Sequence, residues 1–432
     1  MAARGKSQRT AARTRKMRAR NYHLIRIFAG VIIACIAFAA GFAMRGSSSF
    51  LASLGFPEAI TGVTQSSVVD PSSSEKNVFN SLSARVAEVE DILAKDSLDT
   101  YDLNDVTASA LGGFAKATDD PNLQYYTEER YTELMNSPNE GYAGVGVLFS
   151  EYNGQAYAVD VFDGSPAQLA GVHEGDFVVS IQGDDSQTWS RSEVAAKLSQ
   201  LEGADVIITW RRPESLEAEG GEEFTTPLAC AEYEETNVTS EYDKDHKVGY
   251  IRVKQLTQNA AENVQKAIKS LNKKGAGAFV LDLRNNPGGY LSQAISLASL
   301  FMNSGTVVEI QTKDGISAKT TTGQRATDSP LVVIVNKHTA AGAEVVAAAL
   351  KESQRAEAIV GSSTLGKGSV QVISSLSFGG ALRYTAAYYL TPDGRAIDKA
   401  GVSPTVTYEG SENGLSVKEY AIERAGSLVE EG

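Results

Sequence analysis

The sequence predicts a multidomain α/β protein. It would carry an N-terminal membrane helix, a helical cap, a β-rich module and an α/β core with mostly parallel strands. Three observations predict this. Ile27–Met44 is an uncharged run of 18 residues, near the minimum for a membrane span. From residue 141 the apolar period changes to two, over "GYAGVGVLFSEYNGQAYAVDVF". From residue 248, strand-like runs alternate with helical ones, the pattern of a parallel sheet covered by helices.

The first element is residues 1–45, a basic N-terminus and anchor. They hold ten Lys or Arg and no acid, so of the chain's net −13 the remainder carries −23. Nine basic residues precede Ile27–Met44 and Arg45 follows it. That asymmetry places the N-terminus in the cytoplasm and the body outside, as a single-pass protein of the cell membrane. A signal peptide cleaved after Ala43 and a lipoprotein site at Cys35 are the alternatives, and both also export the body. Residues 46–76, rich in Ser and Gly, read as a flexible linker.

Composition narrows the function. At ~100–200 residues per domain, 432 residues suggest two or three domains. A body this acidic is a poor nucleic-acid binder. Cys35 and Cys230 are the only cysteines, and the four histidines are scattered without ligand spacing. No metal or other cofactor is expected.

Residues 77–140 form the helical N-terminal region, with Val78, Leu82, Val86, Val89 and Leu93 at helical intervals. The next module, 141–213, opens with two strands around Asn153-Gly154, a hairpin signal. "GSPAQLAGVHEGDFVVSIQG" then gives a short helix, a tight turn and a strand, followed by another helix and strand. This order resembles a PDZ domain. Gly144, Val145, Gly146 and Val147 would then catch a peptide's terminal carboxylate on backbone N–H groups, with the peptide added as a strand.

Residues 214–408 form the core and 409–432 a C-terminal helical tail. In sheets of this kind, sites gather at the carboxyl ends of the strands. Two turns qualify, "RNNPGG" (284–289) and "NKHTAAGAE" (336–344). The second follows the apolar run "VVIV" and opens an Ala-rich helix, an arrangement suited to holding a nucleophile at a helix N-terminus.

"DLRNNPGGYL", "TLGKGSVQ", "YYLTPDGRAI" and "GVSP" occur in this order behind the module. Together they resemble the carboxyl-terminal processing (tail-specific) peptidases, a Ser-Lys protease family, over about residues 77–408. The resemblance implies extracytoplasmic endoproteolysis of polypeptides recognised by their C-termini. It implies a nucleophile at position 341, a general base at Lys367 and a glutamine, Gln371, that orients the lysine. On a strand, Lys367, Ser369 and Gln371 would share one face. Oxyanion donors would come from Gly288 or Gly289 and from Gly342. A homo-oligomer is compatible with this organisation.

Position 341 departs from the pattern, because it is alanine. A methyl group cannot form an acyl-enzyme. Three readings follow. The chain is an inactive relative that binds tails as a scaffold, a serine-to-alanine variant of a working protease, or an enzyme using another hydroxyl such as Thr339 or Ser369.

Overall fold

The computed structural model describes residues 81–136, 143–201, 203–232, 236–408, 410 and 414–431. The basic N-terminus, the expected anchor Ile27–Met44 and the linker lie outside the described residues. No helix among the described residues is long and apolar enough to cross a membrane. The chain divides into two compact units, Met1–Thr100 and Tyr101–Gly432. In the first, helix α1 (Leu82–Asp96) is capped by Ser81, whose Oγ accepts from Ala84 N. None of its residues is buried, and Leu82, Val86, Val89 and Leu93 stay exposed.

The second unit begins with α2 (Leu103–Lys116), β1 (Gln124–Tyr126) and α3 (Glu128–Met135). A β-rich module follows. It comprises β2 (Ala143–Gly144), β3 (Val147–Tyr152), β4 (Gln155–Val161), α4 (Pro166–Leu169), β5 (Phe177–Ile181), α5 (Arg191–Gln200), β6 (Asp205–Arg212), β7 (Glu222–Ala229) and β8 (Ala231–Glu232). Its main sheet runs β3-β4-β5-β6-β7, antiparallel throughout, with β3 at an edge. Asn153 and Gly154 both take positive φ, 48° and 79°, as a two-residue hairpin turn between β3 and β4 requires. Val147, Phe149, Ile181, Val194, Leu198 and Trp210 fill the core between sheet and α5. The sheet runs past residue 213. β7 pairs with β6 over its full length, from Asp205↔Ala229 to Arg212↔Glu222, in a stretch whose acidic, Gly-containing composition reads as a link.

The core contains β9 (Val238–Asp243), β10 (Val248–Val253), α6 (Ala260–Lys274), β11 (Ala278–Asp282), α7 (Leu291–Ser299), β12 (Thr306–Thr312), β13 (Gly315–Thr320) and β14 (Leu331–Val335). It continues through α8 (Gly342–Glu352), β15 (Ala358–Gly361), β16 (Ser369–Ser375), β17 (Ala381–Leu390), β18 (Val406–Thr407) and α9 (Val417–Glu431). Its central sheet has the order β18-β15-β14-β11-β10-β9. All neighbours are parallel except β9, antiparallel to β10 at the edge. β11 and β14 are buried along their whole length, which suits their unbroken apolar sequences. Phe279, Leu281, Val333 and Val335 face a cluster that includes Val264, Leu297 and Val346 of α6, α7 and α8. Val280, Val332 and Ile334 face Ala421, Ile422 and Ala425 of α9.

The strand 306–312, expected within the mostly parallel core, lies elsewhere. β12 belongs to a second, antiparallel sheet of order β1-β17-β12-β13, with β16 also on β17. Gly361 ends β15 at φ +130°, and a Cβ there would lie 1.9 Å from the Val335 carbonyl oxygen. Gly361→Ala is therefore expected to destabilise the fold by roughly 3 kcal/mol, read as a lower urea midpoint at unchanged m-value.

Candidate active site

Two turns meet at the carboxyl ends of the adjacent parallel strands β11 and β14. Asn336 organises them. Its Oδ1 accepts from Asn285 N (3.0 Å) and His338 N (3.1 Å), and its Nδ2 donates to Asn285 Oδ1 (2.6 Å). Asn286 continues the link. Its carbonyl accepts from Ala340 N, its Oδ1 accepts from Gly288 N, and its Nδ2 donates to Val253 O, each at 2.9 Å. The turns are docked by backbone geometry set by two amide side chains.

Ala341 sits at the junction of turn and helix with φ 50° and ψ −119°. A non-glycine residue with positive φ costs of order 1–3 kcal/mol and persists only where its surroundings hold it. Here the hold is clear. Ala341 N donates to Glu344 Oε2 at 2.8 Å, and Ala340 is pinned by Asn286. This sharp strand-to-helix turn presents the residue-341 side chain at the head of α8. Ala341 is partly exposed, whereas Thr339 and Ala340 before it and Gly342 after it are buried.

Of the glycines of "NPGG", Gly288 packs against this point and Gly289 against Leu256. A Cβ on Gly288 would lie 2.9 Å from Ala341 Cβ, and one on Gly289 would lie 2.3 Å from Leu256 O. Both positions have positive φ, so only glycine allows the close approach. Gly288 N is already donated to Asn286 Oδ1. Gly289 N and Gly342 N take no acceptor among the described residues. Of the three glycines expected to supply oxyanion donors, these two keep theirs available.

Lys367 lies just before β16. Its backbone N donates to Glu344 Oε2 at 2.8 Å, the same oxygen that binds Ala341 N. The base position and the turn are thus tied through one carboxylate. The ammonium is turned to the β-rich module, where Nζ donates to Glu151 Oε1 of β3 at 3.3 Å. Arg383 of β17 grips the same carboxylate with two nitrogens, at 2.5 and 3.3 Å, and Arg191 N adds a fourth donor at 3.1 Å. Burial alone would push Glu151 up, but Lys367 and Arg383 outweigh it and hold its carboxyl down at about 2. Burial lowers the Lys367 ammonium from the ordinary lysine value, with Glu151 pulling the other way. The side chain keeps 20% of its exposure, so water still moderates that shift.

Gln371 does not meet Lys367. Its Nε2 donates to Ser369 Oγ at 2.9 Å. Ser369 and Gln371 share a face, as that bond shows, while Lys367 precedes the start of β16 at Ser369 and sends its ammonium to Glu151 instead. The other hydroxyls are committed. Thr339 Oγ1 donates to Leu283 O at 2.8 Å and accepts from Asn336 N at 3.0 Å, with no exposed surface. Ser369 Oγ accepts from Gln371 and, at 3.4 Å, from Asn122. His338 is buried against Tyr157, its rings 5.7 Å apart, and burial pushes it down to about 4. Glu151 and Glu344 were not legible as site residues. Glu344 carries only the signal of an acid in a helix's first turn.

In the β-rich module, Gly144 pairs with Ala231, Val145 and Val147 are buried, and Gly146 has φ +82° with Ser165 against it.

These features define an α/β hydrolytic scaffold of known kind, and comparison with other proteins agrees. The model of Peptidase family S41 matches residues 247–408. A carboxyl-terminal-processing protease of Picosynechococcus is 34% identical over 309 residues, covering 69% of this chain and 72% of that protein. The carboxy-terminal processing protease CtpA of Bacillus subtilis is 32% identical over 302 residues, covering 69% and 63%. A solved photosystem II D1 C-terminal processing protease aligns with a TM-score of 0.60 at 27% identity, over 78% of this chain and 90% of that one. The chain belongs to the C-terminal processing serine proteases of peptidase family S41.

Proposed function

We propose that this chain is an extracytoplasmic C-terminal processing endopeptidase of the Ser-Lys type, silenced at one atom. The observation that carries the proposal is Ala341. It occupies a strained turn at the head of α8, flanked by two available N–H groups and tied to Lys367 through Glu344. With a serine there, Oγ would attack the scissile carbonyl and neutral Lys367 would take its proton. Gly289 N and Gly342 N would hold the oxyanion, and an acyl-enzyme would form and hydrolyse. Nothing in that sequence of steps needs a metal or cofactor. As it stands, the chain binds polypeptides and does not cut them. A scaffold with no protease design is the alternative, but it gives no reason to hold Ala341 at positive φ.

The β-rich module acts as a PDZ domain in this reading. Gly144, Val145, Gly146 and Val147 receive the terminal carboxylate of the substrate, which adds beside edge strand β3. The same strand carries Glu151. Tail capture on β3 would draw Glu151 away and free Lys367 to turn to position 341, where Gln371 orients it. Ile27–Met44 anchors the protein in the cell membrane with its N-terminus cytoplasmic.

The tail-binding half of this reading has its own test. Apolar peptides with a free C-terminal carboxylate should bind the chain, and the same peptides amidated should bind at least about tenfold more weakly in fluorescence anisotropy. Equal binding of both would remove carboxylate capture from the account.

A further inference from the structure

We propose that Glu344 is the positioning residue of this site, the single side chain that locks the turn bearing residue 341 to the loop bearing Lys367. The inference rests on the protease reading above and adds a residue to it. Glu344 has no exposed surface and lies in the first turn of α8. Each carboxylate oxygen accepts two hydrogen bonds. Oε2 takes Ala341 N and Lys367 N, both at 2.8 Å. Oε1 takes Gly366 N at 2.7 Å and Thr364 Oγ1 at 2.5 Å. Thr364 Oγ1 in turn accepts from Val402 N at 2.7 Å, so its own proton is committed to Glu344.

An ionised carboxylate has about four acceptor sites, and here all are filled by donors. No acceptor faces it from these partners. A glutamine would turn its NH2 toward N–H groups on either side, and an apolar residue would strand four donors. Burial of an unpaired donor costs ~1–3 kcal/mol, so the loop 364–367 would part from the turn. A carboxylate is costly to bury, and burial pushes Glu344 up to about 7 against the pull of its four donors. Capping the helix alone would need one bond to Ala341 N, as many exposed caps provide. The other three bonds all go to residues 364–367, at least 20 positions away in sequence. Their common effect is to fix the lysine's backbone relative to residue 341. Occupying Ala341 N has a further result, since it leaves Gly289 and Gly342 as the N–H groups facing the developing oxyanion.

Two variants, Glu344→Gln and Glu344→Asp, test this, each made in the chain as it stands and in Ala341→Ser. In Ala341→Ser, Glu344→Gln should lower kcat by about 100-fold with KM within about twofold, as expected for displacement of reacting groups by ~1 Å. Glu344→Asp keeps an acceptor-only carboxylate and should recover part of that loss. In the parent chain, amide exchange at Gly366 and Lys367 should quicken by about tenfold or more in Glu344→Gln, while β14 stays protected. Unchanged kcat or unchanged exchange in a folded Glu344→Gln would overturn the proposal. Should Glu344→Gln lose its cooperative unfolding transition, Glu344→Asp with partial kcat and partial protection supports the proposal, and full values of both overturn it. If Ala341→Ser cuts nothing, the protease reading falls, and the exchange measurement still decides whether Glu344 couples the two segments.

Discussion

Ala341→Ser is expected to raise endopeptidase activity far above that of the parent chain. The gain should be several orders of magnitude, since removing a serine nucleophile costs about 10⁶ in kcat where this has been dissected. The reason for so large an effect is that the backbone of the proposed apparatus is already placed, with only the Lys367 side chain left to turn toward residue 341. The backbone at 341 has the sharp conformation required, and Gly288 packs against it with no room for another side chain. Two N–H groups stand available, and Lys367 is anchored by its backbone to the same carboxylate as residue 341. Position 341 is partly exposed, so one added oxygen meets space rather than packed atoms. An unfolded protein with an apolar C-terminus, followed by gel and mass spectrometry, is the assay. Absence of cleavage with tail binding retained would favour the scaffold.

Glu151→Gln in the Ala341→Ser background is the second large effect, and it has two opposite signs. Activity should rise. Glu151 favours the charged form of Lys367, while burial favours the neutral one. Removing the carboxylate removes the influence that holds the amine protonated. The ascending limb of the pH–rate profile should then move to lower pH by about 1–2 units. Dependence on a captured tail should weaken at the same time. Stability should fall by roughly 3 kcal/mol, because Arg383 is left buried without its counter-charge. That loss has a defined pH window. The Glu151 carboxyl is held at about 2, below its ordinary value, so its contribution is present above the ordinary carboxylate range and disappears as pH falls through about 2. The difference in melting temperature between Ala341→Ser and the same chain carrying Glu151→Gln should be constant above the ordinary carboxylate range and shrink in acid. An unshifted pH profile would show that Glu151 does not restrain the base.

The parts of this structure legible in the sequence are those set by local chemistry. Asn153-Gly154 demanded a hairpin, and the unbroken apolar runs of β11 and β14 demanded buried parallel strands. The two turns at their carboxyl ends follow from the general geometry of such sheets. The missed parts are non-local. β1 joins β17 through Gln124↔Arg383, a pairing no periodicity announces. Glu151 reaches Lys367 across 216 residues of chain, and in sequence it is one more polar residue of a strand. Glu344 hides because an acid in a helix's first turn has an ordinary explanation in the helix dipole. Gln371 is drawn to Ser369 Oγ and the Lys367 ammonium to Glu151, a partner that no local pattern announces. The expected membrane segment and linker lie outside the described residues.

The most direct test of an intact site lacking one oxygen is where an acyl group lands. Ala341→Ser, quenched in acid during turnover of an activated ester substrate, should carry one acyl adduct on the peptide containing residue 341. The parent chain should carry none, and Lys367→Ala should abolish the adduct. An adduct on Thr339 or Ser369, or an acylated parent, would contradict the account.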